Sequence, residues 1–240
     1  RLQSYGVMDR VLKHTPDPFE PDYAAELPRI AAHEPAEALS TFQLVDGFEM
    51  QQIAAEPLVT DPVAMSFDAD GRLFVAEMRD YSEQDKEALG AIRVLLDTDN
   101  DGKFDKSHEF AQGLSWPTAI ICANDGVFVG AAPDLYFLKD NDGDFKADVR
   151  ELVFTGFARN NVQGLINSFH WGPDNRVYGS ASTVGGSITS PKYPDRKALE
   201  CRGRDFSFDP KTLELRAETG GGQHGMSFDD WGRRFVSANS

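Results

Sequence analysis

The sequence is poor in the residues that build the most recognisable sites. Only two cysteines occur in 240 residues, Cys122 and Cys201. They are too few and too far apart for a zinc or iron–sulfur centre, and with no CxxCH this segment carries no covalent c-type haem. One disulfide stays open as an option, and two thiols do not fix the redox compartment. No apolar run approaches the roughly 18 residues of a membrane-spanning helix, and the first turns of sequence, RLQSYGVMDRVLKHTPDPFE, lack the apolar centre of a signal peptide. Positive charge is scarce: 24 Lys and Arg face 39 Asp and Glu, for a formal charge of −15. A surface that acidic excludes non-specific binding to nucleic acid or to anionic lipid. GxSxG, HExxH and phosphate-cradling glycine loops are missing too, and GGGQHG lacks the strand-then-helix setting of a dinucleotide site, which excludes NAD.

What is present suffices for a sizeable core, since 40% of the residues are hydrophobic and 11% aromatic. Residues 1–38 are rich in Pro, Glu, Asp and Ala without a sustained period of strand or helix. They are expected to form an extended arm that lies across a surface or stays mobile. The segment begins at Arg1 and not at a methionine, which fits a processed or trimmed N-terminus. From Leu39 onward, short apolar runs are punctuated by Gly, Asp-Gly and Asp-Pro, the texture of many short strands.

Those strands repeat. DPVAMSFDADGRLFVAE (61–77), NSFHWGPDNRVYGSA (167–181) and HGMSFDDWGRRFVSA (224–238) align as strand, turn, strand, with Gly71, Asn175 or Gly232 at the turn. PTAIICANDGVFVGAA (117–132) is a looser copy, expected to turn at Gly126. A second set, VLLDTDNDGKFDKSHEFAQGL (94–114) and FLKDNDGDFKADVRELVFTGF (137–157), matches at a constant offset of 43 residues, and RDFSFDPKTLELRAE (204–218) is a third outer hairpin. Alternating inner and outer hairpins predict an all-β fold, a β-propeller of four-stranded blades beginning near Asp61, Trp116, Gln163 and Gly222. About four blades are begun over 39–240 and the last is incomplete, so a larger propeller is expected. Its open edge would be covered by the remainder of the same chain or by another protein. A β-sandwich or two small β domains remain the alternative, and GGSITS near residue 185 reads as a loop.

The two outer hairpins carry acidic turns, DTDNDGKFD (97–105) and DNDGDFKAD (140–148). In each, carboxylates fall at relative positions 1, 3, 5 and 9, the order in which a loop wraps Ca²⁺, with a backbone carbonyl at position 7. The first loop would use Asp97, Asp99, Asp101 and Asp105 with the Lys103 carbonyl, and Gly102 makes the sharp turn at position 6. The second would use Asp140, Asp142, Asp144 and Asp148 with the Lys146 carbonyl, and Glu151 at position 12. The first lacks an acid at position 12, where His108 stands; the second has Phe145 at position 6, which predicts a distorted or weak site. Solvated acidic turns without an ion are the alternative.

The run DPVAMSFDADGRLFVAEMRDY, then DTDNDGKFD, WPTAI, AAPDLYFLKD, DGDFKADVRELVFTGF, NVQGLINSFHWG, RGRDFSFDP and GGGQHGMSFDDWGRRFVSANS resembles the N-terminal propeller of the planctomycete-type membrane-bound dehydrogenase family, over residues 40–240. More remotely, GRLFVAE is similar to the glucose/sorbosone dehydrogenases, propellers that use pyrroloquinoline quinone and calcium. The resemblance implies an extracytoplasmic protein, periplasmic or at the cell surface, whose propeller serves a sugar or alcohol dehydrogenase and passes electrons to a c-type haem domain elsewhere. The catalytic histidine of the quinone-dependent sugar dehydrogenases has no clean counterpart, because Gln163 stands near that point. A non-catalytic propeller that binds carbohydrate or a protein partner, with calcium purely structural, is the competing expectation.

Ligands of propellers approach the loops where the innermost strands line a central channel. The residues leading into those strands are Val63, Thr118, Asn167 and His224. His224, preceded by flexible glycines, is the candidate proton acceptor for a substrate hydroxyl; the alternative is a histidine bonded to nearby backbone. Arg79, within EMRDY, is the candidate for orienting an anionic ligand, against an ion-pair network with Glu77 and Asp80. Trp116, Trp171, His170 and Cys122 read as packing residues.

Overall fold

The computed structural model describes residues 31–82, 84 and 86–238, so residues 1–30 of the expected arm lie outside the described residues. The chain divides into two units, Arg1–Phe48 and Glu49–Ser240. The described part of the first holds one helical turn, α1 (Pro35–Ala38), with Pro at its start where no N–H is needed, followed by the 3-10 turn Leu39–Thr41.

The second unit is built almost wholly from antiparallel strands. The first sheet runs β1 (Pro62–Phe67), β2 (Leu73–Glu77), β3 (Gly90–Leu96), β4 (Lys106–Leu114) in spatial order. The second begins with β5 (Pro117–Ala123), β6 (Gly126–Ala131), β7 (Asp134–Lys139) and β8 (Val149–Phe157). The third contains β9 (Asn167–Trp171), β10 (Val177–Ser180), β13 (Asp205–Phe208) and β14 (Leu215–Glu218), and the fourth has β15 (His224–Phe228) and β16 (Arg234–Ser237). The first strands of successive sheets neighbour one another, β1 beside β5, β5 beside β9 and β9 beside β15. Up-and-down sheets whose innermost strands are adjacent are the blades of a β-propeller, and the blades start within a few residues of the positions the repeats predict.

Two local expectations need correction. The β5–β6 turn is made by Asn124 and Asp125, at φ 54° and 56°, and not by Gly126. Gly126 is glycine for a different reason: a Cβ there would meet the Leu138 carbonyl oxygen at 2.5 Å and the Phe137 ring at 2.8 Å. The GGSITS stretch is not a loop. Gly186–Thr189 forms β11, which leaves the third blade, pairs with β8 and, with β12 (Leu199–Glu200) beyond it, extends the second sheet to six strands. Here the backbones touch: a Cβ on Gly156 would lie 2.1 Å from the Ser187 carbonyl oxygen, and one on Gly186 would lie 2.2 Å from that of Gly156. Glycine at both positions permits the strand pairing.

The core lies between blades. Phe74 meets Phe110 edge-on at 5.1 Å among Ile92, Val94, Ile120, Val127 and Leu138, where the first two blades pack together. Between the second and third, Phe128 lies 5.1 Å and Phe154 5.6 Å from Phe208, and Phe157 lies 5.1 Å from Phe206. Each fully buried Phe contributes about 1.5–3 kcal/mol of transfer free energy. By contrast Val63, Met65 and Phe67 alternate along one face of β1 at 49%, 64% and 56% exposure, and Trp231, Phe235 and Val236 are exposed on the fourth sheet. Trp171, expected in the core, is 41% exposed at the end of β9. Both cysteines are free thiols, Cys201 buried and Cys122 half-buried, and burial pushes each up to about 11.

Candidate functional site

Val63, Thr118, Asn167 and His224, the residues leading into the four inner strands, line one cavity of 790 Å³. Tyr81, Gln163, Ser168 and Gln223 share its wall, and Met65, Met78 and Phe169 supply apolar surface. Hydrogen bonds from blade to blade hold this wall. The Thr118 hydroxyl donates to the Ile166 carbonyl at 2.5 Å, and the Asn167 amide donates to the carbonyls of Leu165 at 2.8 Å and Gln223 at 2.7 Å. Ser168 donates to Asn167 Oδ1 and accepts from the Gly225 N–H at 2.9 Å. Asn167 and Thr118 thus act as rivets between blades.

The His224 side chain is exposed, and among the described residues no hydrogen bond or ion pair engages its imidazole. Its backbone opposes Ser237 in the β15–β16 ladder, and the residue lines the cavity. Gln163, at the 3-10 turn Val162–Gly164 capped by the Asn161 side chain, is exposed and lines the same cavity, its carbonyl accepting from the Gln223 amide at 3.4 Å. Among the described residues that line it there is no Lys or Arg, and the single carboxylate is that of Asp61.

Arg79 is not part of this wall. It pairs with buried Glu77, which also accepts from Arg93 Nε at 3.4 Å and from the Thr60 N–H at 2.7 Å. Asp80, also fully buried, receives the Trp116 N–H at 3.2 Å, and its own carbonyl accepts from the Trp116 indole at 2.9 Å. Burial pushes the Asp80 carboxyl up, partly countered by that N–H and by the Arg159 guanidinium. EMRDY is therefore an ion-pair and blade-joining cluster, and Trp116 is buried as expected.

The two acidic loops form separate carboxylate clusters. Oxygens of Asp97, Asp99 and Asp101 lie within 4.8 Å of one another, as do those of Asp140, Asp142 and Asp148. The loops share a backbone plan. Asp97 accepts from the N–H groups of Asp101 and Gly102 at 3.2 and 2.9 Å, and Asp140 accepts from Asp142, Gly143 and Phe145 at 3.0, 2.7 and 2.9 Å. Positions 4 and 6 are left-handed in both, Asn100 (φ 60°) and Gly102 (φ 89°) in one, Gly143 (φ 84°) and Phe145 (φ 66°) in the other. The second loop accordingly keeps the backbone of the first at these two positions. Phe145 tolerates its backbone because its ring stacks on His108 at 4.7 Å and joins the core between the first two blades.

Not every candidate ligand converges. Asp105 instead bonds the Thr98 hydroxyl and N–H, and that hydroxyl first of all holds its carboxyl below the usual carboxylate range. Asp144 accepts from the Lys146 N–H at 2.8 Å, with the Lys146 ammonium 4.0 Å away, and Lys103 likewise donates its N–H to Asp101 at 2.8 Å. Glu151 lies on β8 and faces Lys192 at 3.6 Å. Desolvation raises the Asp140 carboxyl, but the N–H groups of Gly143, Phe145 and Asp142 outweigh it and the net displacement is downward. Three anionic oxygens with no nitrogen or sulfur donor suit a hard divalent cation. What sequence spacing could not supply was the assignment within each loop: position 9 accepts the position-2 N–H in both, Asp105 from Thr98 at 3.1 Å and Asp148 from Asn141 at 2.7 Å, yet only Asp148 also joins its carboxylate cluster.

No helix among the described residues is long and apolar enough to cross a membrane. The chain superposes on the holo form of the pyranose dehydrogenase PQQ domain from Coprinopsis cinerea with a TM-score of 0.57 at 15% identity, covering 80% of this chain and 46% of that one. It thus spans about half the length of that neighbour. It is also similar to the calcium structure of Trichoderma reesei carbohydrate-active enzymes family AA12 (TM-score 0.48, 15% identity, 73% of this chain and 41% of that one). A third neighbour is the periplasmic gluconolactonase of Pseudomonas aeruginosa (TM-score 0.42, 14% identity, 73% and 64%). At such identities the first likeness shows the fold. No curated protein matches the sequence. A family profile does match, over residues 34–240, and the chain belongs to that family, the domain of unknown function DUF7133.

Proposed function

We propose that this propeller is the substrate domain of a sugar or alcohol dehydrogenase, and that the cavity where the inner strands begin is its substrate site. The observation that carries the reading is the convergence of Val63, Thr118, Asn167 and His224 on one cavity, with an unengaged imidazole at its rim. A neutral His224 would take the proton from a substrate hydroxyl while the carbon bearing it gives a hydride to a two-electron acceptor, leaving a carbonyl. Gln163 would hold a neighbouring hydroxyl, and the apolar side chains of Met65 and Phe169 would exclude water from the reacting face. Arg79 has no part in this step, because Glu77 holds it.

Calcium in the two acidic loops is the proposed structural ion, held by Asp97, Asp99 and Asp101 and by Asp140, Asp142 and Asp148; millimolar external calcium suits an extracytoplasmic setting. The planctomycete-type resemblance adds a c-type haem domain elsewhere as the electron sink. Exposed Phe67 at the end of β1 and the exposed residues of the fourth sheet are the surfaces that further chain or a partner protein would cover.

The test is dye reduction by the purified protein with calcium, with and without added pyrroloquinoline quinone, over a panel of sugars and polyols. Turnover that His224→Ala lowers by at least about 100-fold is expected; silence over the whole panel would sink the reading. The second reading, a non-catalytic carbohydrate-binding propeller, draws support from Gln163 near the point where the quinone-dependent enzymes have histidine. It expects glycan binding without turnover.

A further inference from the structure

Charge on the cavity wall separates two ligand classes. A redox quinone of the pyrroloquinoline type carries three carboxylates, and a buried or half-buried carboxylate needs a cation or several N–H donors. Among the described residues of this wall there is no Lys or Arg, the unengaged side-chain N–H donors are confined to Gln163 and His224, too few for three carboxylates, and Asp61 adds a carboxylate to the lining. The nearest sequence candidate for an anion clamp, Arg79, is committed to Glu77, and Arg159 sits over the Trp116 ring at 5.0 Å. The amide donors of Asn167 are spent on the carbonyls of Leu165 and Gln223.

The same wall does suit a neutral polyhydroxy compound. The exposed groups at the mouth are an amide (Gln163), an imidazole (His224) and a phenol (Tyr81, 55% exposed), each able both to donate and to accept. Beside them Val63 and Met65 present exposed apolar surface for the C–H face of a ring or chain. Donor and acceptor groups over an apolar floor, with negative charge at the rim, favour an uncharged aldose or polyol and disfavour its acid.

We infer that this part of the channel mouth is the wall that receives a neutral sugar or polyol and that it rejects anions, so that a quinone, where one is used, is held by residues other than these. The inference rests on the substrate-site reading above and adds to it the class of ligand and the exclusion of the cofactor from this wall.

Binding decides it, independently of turnover. Titration calorimetry or saturation-transfer NMR on the purified chain would compare D-glucose, D-mannitol and cellobiose with D-glucuronate, D-gluconate and pyrroloquinoline quinone alone. At least one neutral probe should bind, each anion at least about tenfold more weakly, and His224→Ala and Gln163→Ala should weaken the neutral probe. Gln163→Arg, an exposed position where folding should be unaffected by circular dichroism, should improve glucuronate or gluconate about tenfold. Anions or quinone binding as tightly as the neutral probes, with loss in the His224 and Gln163 variants, would overturn the inference even if dye reduction persisted. So would binding of no neutral probe. Neutral binding with no turnover would instead leave the inference standing and remove the dehydrogenase reading.

Discussion

The loops at 97–105 and 140–148 are one design executed twice, and they differ in what holds them. Both place left-handed residues at positions 4 and 6 and aim backbone N–H groups at the first aspartate. The first loop fills position 6 with Gly102, whose Cβ site has nothing within 4 Å, so its tip stands in solvent. The second fills it with Phe145, whose ring is stacked on His108 of the neighbouring blade, and the following Ala147 N–H bonds the Phe110 carbonyl at 2.8 Å. A residue that is strained alone becomes favourable when its side chain finds a pocket. The first loop is therefore held only beyond its tip, where the Phe104 N–H bonds the Ile53 carbonyl at 2.9 Å and the Phe104 ring lies 6.3 Å from that of Phe67, whereas the second is clamped at position 6 itself.

The largest effect should come from removing the proposed calcium. If each site is saturated about 100-fold above its dissociation constant, chelation costs about 2.7 kcal/mol per site, on the order of 5–10 °C in melting temperature. Asp99→Ala with Asp101→Ala should reproduce the share of the first loop, and Asp140→Ala with Asp142→Ala that of the second. Hydrogen exchange after chelation should rise more over 97–105 than over 140–148; equal loss in both would erase the distinction, and an unchanged melt would remove the ion.

Next in size is the clamp itself. Phe145→Ala leaves a partly filled pocket beside His108 and keeps the unfavourable φ, so about 2–3 kcal/mol of stability should be lost in denaturant titration. Gly102→Ala, strained but in open space, should lose about 1 kcal/mol. Equal losses would mean that the ring does not anchor the second loop.

The smallest effect is on acid stability. Asp140 and Asp105 have carboxyls held below their unfolded values, so each stabilises the fold fully above the unfolded pKa of about 3.9 and loses that contribution as pH falls through the lower folded value. Asp140→Asn and Thr98→Ala should each make the acid limb of a stability-versus-pH curve shallower below about pH 4. An unaltered limb in either variant would detach that carboxylate from the stability of its loop.

Much of this was legible in the sequence because it is local. Strand alternation and a glycine or asparagine at the turn mark each inner hairpin, and the 43-residue offset exposes the outer ones. The candidate mouth residues followed from register alone, since equivalent positions in repeated strands must face one axis. Non-local facts were not legible. GGSITS has the composition of a flexible loop, and nothing in it announces the edge of β8 as a partner. Phe145 looked like a defect because its compensation, His108, lies 37 positions away on another blade. Which aspartates converge depends on whether Thr98 captures Asp105, a competition that spacing does not rank.

The excursion of β11 and β12 from the third blade onto the second means these two modules are not interchangeable cassettes. Excising or grafting the third would tear two strands from its neighbour and bare the C-terminal end of the β8 edge, residues 155–157, a template for intermolecular pairing. Shuffling or duplicating units in this lineage would have to move the second and third together, as a single inherited block.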